Sequence, residues 1–214
     1  MRMKSILILD TETTGLVDRN LAPEHPAQPD VVQFAAMLCT SSGEGGYHVR
    51  QAVSVITQPP LKPVHPKARA VHGIGPDEIA RFGVPYADML GVFGGMVDRC
   101  DVIVAFNLSF DALVLRTAWH RGGLGDLRDR LLGKRAFCAM KASTPLCRLL
   151  GPRARHATDW KWPTLGEATE FFFGENLVGA HDALVDVAAC ARIYFELERR
   201  KALTPGASGA TEGA

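Results

Sequence analysis

Residues 5–9 form a short, continuous apolar run rich in Ile and Leu, the pattern of a strand buried on both faces. Residues 11–15 read as the turn that ends it. Pro23, Pro26 and Pro29 then break the stretch 17–30 into loop. Residues 31–39 and 47–56 read as a strand pair joined across the glycine-rich 41–46, so the first three strands are predicted to form an antiparallel meander. Four prolines make 58–66 a loop. A short helix is expected to open at Pro76-Asp77-Glu78, where proline and acids suit a helix N-terminus. Residues 86–98 predict a helix despite Gly91, Gly94 and Gly95, and 102–106 a second buried strand. Residues 109–120 read as a helix with Ser109 as N-cap. A strand at 136–140 with a helix after it, then helices over 164–173 and 182–200, complete the pattern. The low-complexity end, 204–214, reads as a disordered tail and leaves a single domain over 1–203. Strands first, then helix and strand in alternation, give an α/β domain with a mixed sheet flanked by helices.

Composition narrows the class. Hydrophobic residues at 47% and charged residues at 22% exclude wholesale disorder, and 214 residues suit one domain. The longest apolar runs fall far short of the roughly 18 residues a membrane helix needs. The start, MRMKSILILD, lacks the small-residue cleavage site of a signal peptide, which points to a soluble cytoplasmic protein. Five widely spaced cysteines without a CxxC pair read as free thiols. A net charge of +1 hides an uneven distribution: residues 116–161 hold 11 Lys and Arg against 3 Asp and Glu, and the remaining chain 13 against 20. A basic segment beside an acidic remainder suits either a solvated surface or a polyanion partner with cations held by the acids.

Several acids stand where acids are costly. Asp10 and Glu12 close the buried first strand, and side chains two apart in a strand point to one face. Their carboxylates would repel unless a cation lay between them. Asp186 stands in a helix whose only other charge from 183 to 195 is Arg192, six positions away and on a different face. His181 lies just ahead of that helix, where Asp182 can act as N-cap. Asp111 lies one turn into the helix after the second buried strand. Four carboxylates and a histidine at strand ends and helix starts would build a site for two hard divalent cations, Mg²⁺ or Mn²⁺.

The segments DTETTG at 10–15, NLSFD at 107–111 and HDALVD at 181–186 resemble the three motifs of the DEDDh 3′–5′ exonucleases. That is the family of the proofreading epsilon subunit of bacterial DNA polymerase III, of ribonuclease H-like fold. VHGI at 71–74 and KWPTLGEATEFFFG at 161–174 resemble further family segments, and the likeness is collinear from about 6 to about 198. It implies a mixed sheet of three antiparallel strands followed by parallel ones. It also implies two-metal hydrolysis of single-stranded or frayed 3′ ends of DNA, releasing nucleoside monophosphates. Asp10 would bridge both metals, Glu12 and Asp186 would hold the one that activates water, and Asp111 would serve the second. His181 would be the general base; tyrosine-type relatives carry a Tyr at the position of Asp182.

By the same resemblance Thr13, Gly15, Leu16, His72, Asn107 and Phe110 would line the pocket for the terminal nucleotide. The family often has His before the Asn of the second motif, where this sequence has Phe106. The rival readings are a 3′–5′ exoribonuclease of the oligoribonuclease or ribonuclease T kind, a proofreading or repair subunit associated with a DNA polymerase, and an inactive binding module. The intact set of acids with His181 weighs against the last.

Overall fold

The alternation in the first strand decides which side of the sheet each later residue meets. In the computed structural model, which describes residues 4–43 and 46–203, β1 (Ser5–Thr13) occupies the centre of a five-stranded sheet. β2 (Val31–Gly43) pairs antiparallel with β1, and β3 (Gly46–Ile56) pairs antiparallel with β2. On the other side β4 (Val102–Ala105) and β5 (Arg135–Cys138) add in parallel, giving the order β3-β2-β1-β4-β5. The mixed sheet expected from the sequence is therefore present. β1 runs on through Thr13, so 11–13 are strand rather than turn.

Ile6 and Ile8 pack into one buried cluster with α6 (Ala139–Cys147), α7 (Leu165–Phe173) and α8 (Ala183–Leu203). Leu7 and Leu9 pack into another with α3 (Tyr86–Arg99) and α4 (Leu108–Arg121). Helices thus cover both faces, as strands buried on both sides require. With a period of two, Asp10 and Glu12 continue the α8 face and Thr11 the α4 face.

Three local readings change. α1 (Pro66–His72) is a helix the sequence pattern did not reveal, since none of its residues is buried and no apolar period marks it. Its start is nonetheless orthodox: Pro66 stands in the first turn and the His65 side chain accepts from Lys67 N. α5 (Leu127–Leu131) was also not foreseen; it is five residues long, capped by Asp126. The N-cap of α4 is Asn107 rather than Ser109, which lies inside the helix and donates to Asn107 Oδ1 at 3.1 Å. α2 (Pro76–Phe82) opens where Pro76 suggested. α7 begins with a Thr164–Glu167 capping box. The expected tail, 204–214, lies outside the described residues. All five cysteines are free. No helix among the described residues is long and apolar enough to cross a membrane.

Candidate active site

Three elements bring the acids to one end of the sheet. β1 delivers Asp10 and Glu12, the first turn of α4 delivers Asp111, and the first turn of α8 delivers Asp186. Glu12, His181 and Asp186 each offer a ligand atom, and these atoms lie within 4.8 Å of one another. Asp186 is 9% exposed. Its Oδ2 accepts from the His181 backbone N–H at 3.2 Å, while its Oδ1 is buried without a hydrogen-bond partner. The pairing with Arg192 is absent: Arg192 forms two bonds to Glu175, at 2.8 and 3.1 Å. Asp111, 2% exposed, accepts from Thr11 Oγ1 at 2.9 Å.

The electrostatics follow from that crowding. Burial, then the charges of Asp111, Asp186 and Glu12, holds the Asp10 carboxyl well above the usual carboxylate range. Burial, with Asp186, Asp111 and Asp182 adding, pushes Glu12 up to about 8. Burial pushes Asp111 up to about 7 against the opposing Thr11 hydrogen bond. Asp186 is raised by burial, although the His181 N–H pulls the other way. Carboxylates kept from ionising by one another, around a buried oxygen with no partner, call for positive charge. Oxygen donors on rigid elements suit a hard divalent cation, and Glu12 and Asp186, with His181, bring donor atoms close enough together to share one.

His181 stands at φ 69°, a left-handed conformation that non-glycine residues rarely adopt. The helix after it is firmly capped: Asp182 Oδ1 accepts from Leu184 N at 2.9 Å, and Asp182 O accepts from Asp186 N at 3.0 Å. The N-cap role expected of Asp182 is therefore present.

A cleft of about 1010 Å³ opens beside Glu12 and is lined by Thr13, Gly15, Leu16, His72 and Phe110. Five of the six expected substrate contacts thus share one cavity. Asn107 does not line it and serves the start of α4 instead. Leu16 is 91% exposed at the rim, a position with no packing role. His72 Nδ1 accepts from Ile74 N at 3.1 Å, so Nε2 carries the proton toward Thr13 O at 3.3 Å. Burial lowers its pKa, favouring that neutral ring.

The basic groups of the cleft are Lys62, His65, Lys67 and His72, from the proline-rich loop and α1, not from 116–161. Several cations of that basic segment are engaged elsewhere: Arg121 with buried Asp30, Arg130 with Asp98, and Lys161 with Glu167. Lys62, His65 and Lys67 escaped the sequence reading because no motif marks them, and Thr11, though inside DTETTG, was given no role. Trp162, just beyond that segment, is 62% exposed.

No protein-family model and no curated protein sequence matches the chain. Solved structures do. The fold is the one seen in solved exonuclease I structures. Among individual proteins, it is similar to Escherichia coli exonuclease I in complex with a dT13 oligonucleotide. The identity there is 20%, the TM-score 0.73, and the match covers 94% of this chain and 42% of that one. The zinc-bound form of the E. coli exonuclease I–single-stranded DNA complex is similar at 22% identity and TM-score 0.71, over 94% of this chain and 42% of that one. Exonuclease I from Methylocaldum szegediense is similar at 20% identity and TM-score 0.70, over 93% of this chain and 41% of that one. The chain therefore spans less than half the length of these proteins.

Proposed function

We propose that this chain is a metal-dependent 3′–5′ exonuclease that removes nucleoside monophosphates from single-stranded or frayed 3′ ends of DNA. One observation carries the reading. Glu12, His181 and Asp186 bring donor atoms within 4.8 Å of one another, Asp186 Oδ1 is buried without a partner, and Glu12 lines a cleft large enough for a nucleotide. The fold supports it, since exonuclease I structures of this fold contain dT13 and dA16 oligonucleotides. Those DNA complexes favour DNA over RNA as substrate, and a polymerase partner finds no support in the comparisons.

Asp10, Glu12, Asp111 and Asp186 would hold two divalent cations, Mg²⁺ or Mn²⁺. When bound, these neutralise the clustered charge and polarise the phosphodiester for attack by water. His181 accepts the proton of the attacking water. The bond from phosphorus to the 3′ oxygen breaks, leaving a 3′-hydroxyl on the shortened strand and a free nucleoside 5′-monophosphate. Leu16 and Phe110 offer apolar surface to the terminal base, which needs no sequence reading. Lys62 and Lys67 place positive charge along the strand's phosphates, and His65 offers a neutral ring beside them. The test is digestion, with Mg²⁺, of 3′-labelled single-stranded DNA, duplex DNA with a mismatched end, and RNA. Release of labelled mononucleotide from the first two is the expected result; no release from either DNA refutes the reading, and faster release from RNA reassigns it to the ribonucleases.

A further inference from the structure

Gln33 stands on β2 directly opposite Glu12 of β1. Opposed residues on paired strands share a face, so its side chain lies on the α8 side with Glu12. It is 7% exposed, unusual for a glutamine, and both ends of its amide are used. Oε1 accepts from the backbone N–H of Ala183 at 3.1 Å, across 150 residues of sequence. Nε2 donates to Ser54 Oγ on β3 at 3.2 Å. Because a backbone N–H can only donate, the orientation of the amide is fixed by the Ala183 contact.

Ala183 is the first residue of α8, and its N–H is one of the donors a helix start leaves without an internal partner. Asp182 serves the N–H groups of Leu184, Val185 and Asp186 from within the same turn. The remaining N–H, on a fully buried residue, is served from the sheet by Gln33. That bond joins the strand pair carrying Glu12 to the helix start carrying His181 and Asp186. Asp186 in turn holds the left-handed His181 backbone through Oδ2.

We propose that Gln33 is a positioning residue of the cluster, a strut that sets where the first turn of α8 presents His181 and Asp186 to Glu12. The proposal rests on the nuclease reading above. Gln33→Met keeps the length and removes both hydrogen bonds. Assayed about 20 °C below each variant's own Tm on a short single-stranded DNA, it should lower kcat about tenfold and leave KM within about twofold, as displacement of a reacting group does. Mn²⁺ affinity, read by titration calorimetry, should fall severalfold. In a His181→Ala background the same substitution should cost less, no more than about threefold, because only Asp186 is then left to position. An undiminished loss in that background, or an unchanged kcat in the single variant, overturns the proposal. If the wild-type chain proves inactive, the nuclease reading fails separately; the Mn²⁺ titration then decides, and unchanged affinity overturns the strut. Should Gln33→Met not fold, Ser54→Ala frees only the outer end. It should lower kcat and Mn²⁺ affinity about two- to threefold, and no change in either refutes the role.

Discussion

Asp111→Asn should make the metal-free protein more stable at pH 8 while abolishing its activity. Asp111 is 2% exposed and its carboxyl is pushed from 3.8 to about 7, chiefly by burial. Between those two pH values the folded state holds a proton that the unfolded state has released, so stability falls as pH rises through about 7. A shift of that size corresponds to roughly 4 kcal/mol of ionisation cost at pH 8. Asparagine keeps the shape, and its carbonyl oxygen can still accept from Thr11 Oγ1. Its amide hydrogens have no evident partner there, which returns about 1–3 kcal/mol of that gain. The net gain is about 2 kcal/mol, or a Tm higher by about 4–8 °C for a chain of this length.

The assay is thermal unfolding of both proteins in EDTA from pH 4 to pH 8. The variant's advantage should be greatest at pH 8 and vanish near pH 4, where the wild-type carboxyl is protonated in the folded state and about half protonated in the unfolded one, so little ionisation cost remains. Adding Mg²⁺ or Mn²⁺ should stabilise the wild type more than the variant and close the gap, because binding stabilises in proportion to affinity. A variant less stable than wild type in EDTA at pH 8, or a difference that ignores pH, would refute the account of the cluster.

The other expectations are simpler. Asp10→Ala should reduce nucleotide release by orders of magnitude while the protein remains folded, checked by circular dichroism beside the digestion assay. His181→Ala should keep Mn²⁺ affinity and Tm near wild type and lose about 10²–10⁴ in single-turnover rate. A lost Tm with retained activity would instead make His181 structural. Lys67→Glu should raise KM for single-stranded DNA and flatten its salt dependence without changing kcat, measured by digestion between low and moderate salt. Leu16→Ala should raise KM without altering Tm, since its exposed side chain supports no packing.

The sequence alone determined what local rules can carry. A period of two in β1 placed Asp10 and Glu12 on one face, and Asp182 was legible as the cap of α8. The three motifs, in order, named the acids and His181. Residues 5–9 of β1 and Val102–Ala105 were readable because strands buried on both faces leave unbroken apolar runs, whereas the polar end of β1 at 11–13 read as turn. α1 was not readable, since a helix with no buried residue leaves no apolar period. Only the tertiary structure decided the rest. It placed Lys62, His65 and Lys67 on the cleft wall, drew Arg121 out of the basic segment into a buried pair with Asp30, and tied Gln33 to Ala183. Local periodicity reports burial and capping among near neighbours. Contacts between residues about a hundred positions apart depend on how helices settle on the sheet, and no short window of sequence contains that packing.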